Sequence, residues 1–392
     1  MQNPSPINTL IFYMKKVLMV GAFDIIHPGH IQAIKEAKRL GDYLTIVIAR
    51  DQNILKLKGR LPYYNEEDRL KNLQSFKIAD KVILGELMDK LKVIKAERPD
   101  IIATGYDQKP ALELIYGLKK LGVKIVRLTS FRSEIFKSAK LRVIFQDKEA
   151  GFLNINKPEN WTSHDVVNKL RKITKIKKIG HAGTLDPFAT GVLICGVGAT
   201  TRMLDGFHIL PKTYEATIKL GMVSDTYDRT GKIQNQKNQR TKQIKINKNQ
   251  IQKILTGFLG KQKQLPPMYS AKKVQGKKLY ELAREGKVVE RRMSEVEIYE
   301  IKLLKYLKPK TNNQLPIIKI KVTCSTGTYI RTLAHDFGQK LGCGAVLWEL
   351  KRTAVGPFIL KNSVKIDKLK NNWERYILKP AEALEKINKF PI

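Results

Sequence analysis

The chain has 392 residues, 42% of them apolar, with 73 Lys and Arg against 36 Asp and Glu, a formal net charge of +37. That length suggests two or three domains, and that charge points to a polyanionic partner, with nucleic acid the default. Cys195, Cys324 and Cys343 have no paired spacing, which excludes a disulfide framework and a zinc site; no apolar run is long enough to span a membrane, no basic stretch marks a signal peptide, and a cytoplasmic location is expected.

In chain order, residues 1–14 read as a disordered tail, and Met14 could be the true translation start. From Lys16 the pattern alternates. Strands are predicted at Lys16–Ala22, Tyr43–Ala49, Lys81–Leu84, Asp100–Thr104 and Lys124–Leu128, with helices at Ile31–Leu40 and Glu66–Phe76. Alternation of this kind makes a doubly wound α/β domain on a parallel sheet. It is placed at 15–140, with a linker at 141–150. Gly151 opens a second domain, 151–392, with a helix near Ser163–Ile173 and strands at 192–197, 214–220, 296–303 and 316–324. This reads as α+β around a mixed, mostly antiparallel sheet. Residues 1–140 carry +10 of the charge and 141–392 carry +27, so RNA is expected on the second domain. Lys232–Lys253, dominated by Lys, Gln, Asn and Ile, reads either as a flexible RNA-facing insertion or as a solvated surface segment.

Gly21-Ala22-Phe23-Asp24-Ile25-Ile26-His27-Pro28-Gly29-His30 lies where the first strand meets the first helix, the ligand edge of a doubly wound sheet. A helix N-terminus offers free N–H donors to phosphate. His27 and His30, three apart, share one side of its first turn and could hydrogen-bond a leaving pyrophosphate; two ligands are too few for a metal site. The stretch resembles the HxGH nucleotidyltransferases, within them the glycerol-3-phosphate cytidylyltransferase and archaeal-type FAD synthase branch. Asp24, His27 and His30 match the motif, Lys58 falls at a phosphate-binding lysine, and Arg69 lies in the acidic-x-Arg helix. Asp107 lies in a nucleobase loop of FAD synthase type, and Ser138 in the distal phosphate motif. The resemblance implies nucleotidyl transfer from ATP or CTP with Mg2+, forming FAD or a CDP-alcohol. Ala22 and Ala139 depart from the pattern and remove two hydroxyl donors, so an inactive appendage is an alternative.

The string Gly180-His181-Ala182-Gly183-Thr184-Leu185-Asp186-Pro187-Phe188-Ala189-Thr190-Gly191 places one carboxylate on a glycine-bracketed loop, where Pro187 bars Asp186 from a regular helix. Locally this is either a turn or a seat for covalent chemistry. With Asn156-Lys157-Pro158, Lys212-Thr213-Tyr214, Asp225-Thr226 followed by Asp228, and Gly327-Thr328-Tyr329-Ile330-Arg331, it resembles the TruB family of tRNA pseudouridine synthases. The likeness runs from Gly151 to about residue 385. Asn160 stands where Gly is usual, and Asn tolerates the left-handed backbone that such a turn needs.

The resemblance implies Asp186 as nucleophile or charge stabiliser, Arg331 as its ion-pair partner, and Tyr214 as a ring that stacks on the base and could remove the C5 proton. His181 would brace the space vacated in the RNA, and Tyr329 and Leu350 would line the pocket. The implied reaction is conversion of uridine 55 in the tRNA T-loop, with no cofactor or metal for this step and no obligate protein partner. Whether Asp186 attacks sugar or base is open. The family's small C-terminal RNA-binding domain is not expected here. The alternative is a chain that is chiefly a nucleotidyltransferase with an RNA-binding second half.

Overall fold

The computed structural model describes residues 13–108, 112–236, 246–270, 272–274, 276–287, 289–309 and 315–391. Most of the predicted tail, and residues 237–245 of the Lys/Gln/Asn segment, lie outside them. Two compact units emerge: residues up to Gln146 together with Leu384–Pro391, and Asp147–Ala383.

The first unit carries β1 (Lys16–Gly21), α1 (Pro28–Lys38), β2 (Tyr43–Ile48), α2 (Asp51–Lys58), α3 (Glu66–Gln74), β3 (Lys81–Leu84), α4 (Lys90–Glu97), β4 (Ile101–Thr104), α5 (Leu112–Lys120), β5 (Lys124–Arg127) and α6 (Ser138–Gln146). Its sheet has the order β3-β2-β1-β4-β5 and every pair is parallel. Alternate residues of β1 feed opposite faces: Val17 and Met19 join one buried cluster and Leu18 another, as burial on both faces requires. Strand order reverses between β1 and β4, which opens a ligand crevice at their C-terminal ends. Residues 141–146, expected as linker, are instead the second half of α6. Leu141 and Ile144, three apart, are buried there, so one helical face has a core to join. Leu384–Pro391, placed with the second domain from sequence, groups with this unit, where Asn388 donates to the Ile26 carbonyl at 3.0 Å.

The second unit contains β6 (Gly151–Lys157), α7 (Ser163–Thr174), β7 (Ile179–Ala182), β8 (Thr190–Val197), β9 (Lys212–Leu220), β10 (Met222–Ser224) and β11 (Ile233–Asn235). There follow α8 (Lys248–Thr256), β12 (Gly260–Gln264), β13 (Lys273–Val274), β14 (Lys277–Lys278), α9 (Leu279–Arg284), β15 (Ser294–Leu307) and β16 (Ile317–Cys324). Last come α10 (Ile330–Leu341), β17 (Ala345–Val355), β18 (Phe358–Ile359), β19 (Val364–Lys365) and the start of α11 (Pro380–Lys389), which from Leu384 counts with the first unit. The large sheet has the order β12-β15-β16-β9-β17-β8-β6-β19, with β7 on β8 and β18 on β17. It is antiparallel except at β17–β8 and β19–β6. The β17–β8 join is short, Lys351 with Thr190 and Arg352 with Gly191. The Asp186 loop enters the sheet at this junction.

α7 begins with a capping box, Thr162 and Asp165 each satisfying the other's backbone N–H, which is why Trp-Thr-Ser starts a helix. The described end of the Lys/Gln/Asn segment keeps Lys248, Asn249, Gln252 and Lys253 exposed over one buried face. Residues 248–253 belong to α8, whose Ile251 and Leu255 are fully buried in the main core; an i, i+4 apolar pair forms a helical face even among polar neighbours.

Candidate active site

Asp186 sits half-buried ahead of β8, and its loop is fixed from several sides. Ser163 Oγ accepts from the Leu185 N–H at 2.9 Å. The Asp186 carbonyl accepts from the Ala189 N–H at 3.0 Å, closing a turn. Lys157, fully buried, donates through Nζ to the carbonyls of Pro158 at 2.9 Å, Trp161 at 2.5 Å and Pro187 at 3.0 Å. Burial depresses the Lys157 ammonium to about 8. Asn160 has φ +64°, the left-handed turn expected of it, and its N–H reaches the same Pro187 carbonyl at 2.9 Å.

Arg331, in the first turn of α10, donates to Asp186 at 3.0 Å through Nη2 and faces Asp228 at 3.4 Å through Nη1. Asp228 is fixed in turn: its Oδ1 accepts from Thr226 Oγ1 at 2.8 Å, the Thr230 N–H at 2.9 Å and Thr230 Oγ1 at 2.5 Å. That leaves Oδ2 for the guanidinium. The sequence supplied Asp228 as part of a motif without a role, and the structure makes it the second carboxylate on Arg331. Burial pushes the Asp186 carboxyl above its ordinary range; Arg331 pulls it back, and Asp228 adds to the rise.

Tyr214 lies on β9 at 9% exposure, in one apolar cluster with Leu185, Phe188 and Leu350. Burial raises its phenol, opposed by Arg352. Tyr329 caps α10, its ring 5.9 Å from the Arg331 guanidinium. Gln264 secures it, accepting its N–H at 2.8 Å and donating to its carbonyl at 3.1 Å. Asp186, Arg331, Tyr214, Tyr329 and Leu350 are therefore gathered in one place. His181 is on β7, opposite Cys195 of β8; its buried Nδ1 has no partner, and burial, Arg352 and His164 all lower its pKa. Lys212 donates to the carbonyls of Phe207 at 2.9 Å and Leu210 at 2.7 Å and to Thr326 Oγ1, tying the start of β9 to the turn before Tyr329.

The first unit presents a second set of groups at its crevice. His27 caps α1, its Nδ1 accepting the His30 N–H at 3.3 Å, and the two rings stack at 3.8 Å. Burial lowers the His27 pKa well below its usual value and brings His30 to about 4. Both imidazoles are thus neutral at pH 7, and His30 Nδ1 is buried without a partner. Asp107 and Lys58 are exposed yet near enough to act on His30, the carboxylate raising its pKa and the ammonium lowering it. Ser138 opens α6, half-buried. Two further predicted residues hold the backbone around the crevice. Asp24 accepts the N–H groups of Tyr63 at 2.7 Å and Tyr64 at 3.0 Å. Arg69, 0% exposed, donates to the carbonyls of Ala22, Ala49 and Tyr64 and to Asp51, so it braces the loop. Among the described residues no cluster of His, Cys, Asp and Glu forms a metal-binding group, and no helix is long and apolar enough to cross a membrane.

Comparison with known proteins matches these two halves separately. The model of the TruB family pseudouridylate synthase N-terminal domain matches residues 171–330, and that of the tRNA pseudouridylate synthase B C-terminal domain matches 331–387. A cytidylyltransferase-like model matches 18–155. The tRNA pseudouridine synthase B of Clostridium tetani is 43% identical over 62% of this chain and 80% of its own length; that of Clostridium novyi is 45% identical over 61% and 79%. A Cbf5-Nop10-Gar1 complex is 27% identical over 64% of this chain and 60% of that chain, with a TM-score of 0.42. The second unit is a pseudouridine synthase. The chain belongs to the TruB family, with a cytidylyltransferase-like domain ahead of the synthase.

Proposed function

We propose that the second unit converts uridine 55 in the T-loop of tRNA to pseudouridine. The observation that carries this reading is the chain Asp186–Arg331–Asp228, with separations of 3.0 and 3.4 Å, beside Tyr214. The names of its relatives, tRNA pseudouridine synthase B, support the substrate. The target uridine leaves the stack, at about a few kcal/mol. Asp186, ionised and oriented by Arg331, then serves as nucleophile or charge stabiliser while the C1′–N1 bond breaks and the C1′–C5 bond forms. Tyr214 stacks on the base and accepts the C5 proton. Tyr329 and Leu350 line the pocket, and His181 braces the RNA. The step calls for no cofactor or metal. Tritium release from C5-labelled uridine in an unmodified tRNA transcript tests this: wild type releases label at position 55 and Asp186→Ala releases none. A wild type that binds tRNA without release would make the second half a binding module and nucleotidyl transfer the leading activity.

The first unit, on the same reading, binds ATP or CTP with Mg2+ and transfers a nucleotidyl group to FMN or an alcohol phosphate. The supporting observation is the stacked, neutral His27–His30 pair at the sheet's switch point, with an unpartnered Nδ1, suited to donating toward phosphate oxygens. Lys58, Asp107 and Ser138 are the groups to complete that site. Incubation of the full chain with labelled ATP or CTP and FMN or glycerol 3-phosphate tests it, and no product from any pairing would favour an inactive appendage.

A further inference from the structure

Tyr227, half-buried beside Asp228, has φ +63°, a left-handed backbone that is rare for a bulky aromatic residue. Strain of this kind persists only where the surroundings over-determine it, and it clusters at functional sites. Here the surroundings do so. The Tyr227 N–H donates to the Ser224 carbonyl at 3.1 Å, and the Tyr227 carbonyl accepts from the Leu347 N–H at 3.0 Å. The Arg229 N–H reaches the Leu347 carbonyl at 3.0 Å, so the turn is tied to β17 on both sides of Asp228. The Tyr227 ring stacks on His335 of α10, with centroids 4.0 Å apart and planes 20° from parallel. The His335 Nδ1 is buried without a partner, so no hydrogen bond at that nitrogen turns the imidazole.

His335 follows Arg331 by four residues on α10, about one turn along the same face. The consecutive pair Tyr227-Asp228 therefore meets that face at two points a turn apart: ring on ring, and Asp228 Oδ2 facing Arg331 at 3.4 Å. The next residue reaches the other way. Arg229 pairs with Glu159 and lies 5.6 Å from the Phe188 ring centroid, two residues beyond Asp186. Thr226 and Thr230 hold the Asp228 carboxylate within its own turn. Its reach to Arg331 is then set by how the turn seats: the Leu347 bonds fix it to the sheet, and the stacked rings fix it to the helix.

We infer that Tyr227 and His335 are positioning residues for the isomerisation: their stacked rings seat the 227–229 turn on α10, set the reach of Asp228 to Arg331, and through Arg331 orient Asp186. The inference rests on the roles of Arg331 and Asp186 proposed above. Neither ring acts on the reacting atoms.

The test is a double-mutant cycle on the full chain: wild type, His335→Ala, Asp228→Asn and the pair. Each is read by single-turnover C5-tritium release and by affinity for unmodified tRNA, well below its unfolding midpoint. His335→Ala removes the ring and keeps a good helix former. It is expected to lower the single-turnover rate about fivefold to tenfold, with RNA affinity within about twofold. Added to Asp228→Asn, it changes the rate by less than about twofold, because the carboxylate it seats is already gone. His335→Phe keeps a flat ring for the stack and brings the rate back to within about twofold of wild type. Tyr227→Asn, which loses the ring but tolerates the left-handed backbone, follows the same pattern as His335→Ala and covers the case in which that variant folds poorly. Three results overturn the inference while leaving Arg331 and Asp186 in their roles: losses that multiply in the double variant, an Asp228→Asn enzyme with the wild-type rate, or a His335→Phe enzyme as slow as His335→Ala. An Asp186→Ala enzyme that still releases label overturns the reading beneath it as well, and that single comparison separates the two failures.

Discussion

Asp186 has three charged neighbours, Arg331 and Lys157 acting against Asp228, and this gives its acid limb a sign that can be worked out. The carboxyl is raised by burial, lowered by Arg331 and raised by Asp228. Activity that needs ionised Asp186 therefore falls as pH drops through a value above the ordinary carboxylate pKa of about 3.9. Asp228→Asn removes the like charge, so the limb moves to lower pH. The same change loosens Arg331 and lowers the rate at neutral pH by about tenfold to a hundredfold, or about 1.4–2.7 kcal/mol. Arg331→Lys moves the limb the other way, because an ammonium cannot hold both carboxylates at once. Measuring kcat/KM against pH for the three proteins checks both signs; a limb that rises in Asp228→Asn would remove Asp228 from the electrostatics of the site. Asp186, Tyr214 and Arg331 were legible because each stands in a long motif. The Asp228–Arg331 pair joins residues 103 apart, and no local pattern announces it. Arg352, buried with its guanidinium on the Gly183 and Val192 carbonyls, was invisible for another reason: Lys-Arg on a strand reads as surface until β17 is known to lie between β8 and β9.

At the scale of elements, the parallel strands were legible to within a residue or two because β1, β2 and β4 are continuous apolar runs, as strands buried on both faces must be. Two features were hidden. β17, which completes the site, mixes Lys, Glu and Arg with apolar residues and carries register shifts against β9, so its alternation is broken. α8 was masked by composition, its few apolar residues diluted among Lys, Gln and Asn. Its packing makes a clear prediction. Ile251→Ala removes a fully buried side chain from the main core and is expected to destabilise the second unit by about 2–4 kcal/mol, whereas Lys253→Ala stays within about 0.5 kcal/mol. Urea unfolding followed by tryptophan fluorescence distinguishes them, and equal midpoints would mean α8 is not core. Gly191 offers a sharper case. Its φ is +106°, and a Cβ there would lie 2.2 Å from the Arg352 carbonyl oxygen. Gly191→Ala is therefore expected to part β8 from β17 at about 2–4 kcal/mol, and to abolish turnover before it abolishes folding, because the Asp186 loop hangs on that junction.

For the whole molecule, the chain's two units are not two consecutive stretches of sequence. The C-terminal Leu384–Pro391 counts with the first unit, although sequence likeness to the synthase runs to residue 387. Nothing in a helix pattern says which core it joins, so this return was not legible. Leu384 and Ile387 are each 2% exposed, and Asn388 supports the Ile26 carbonyl, one residue before His27. Residues at the end of the chain thus support the loop that presents the histidine pair. A chain ending at Ala383 loses two buried apolar side chains from the first unit, about 2–5 kcal/mol for each by analogy with truncation to Ala, and loses the support under Ile26. The residues proposed for the site of the second unit, Asp186, Arg331, Asp228 and Tyr214, draw none of their hydrogen bonds from described residues beyond 383. The expected outcome is selective: nucleotide affinity measured by calorimetry falls at least about tenfold, while single-turnover pseudouridine formation stays within about twofold. Asn388→Ala alone, which keeps both apolar side chains, should give a smaller shift in the same direction. A truncated chain that loses both activities together would instead mean that the terminal residues hold up the second unit as well.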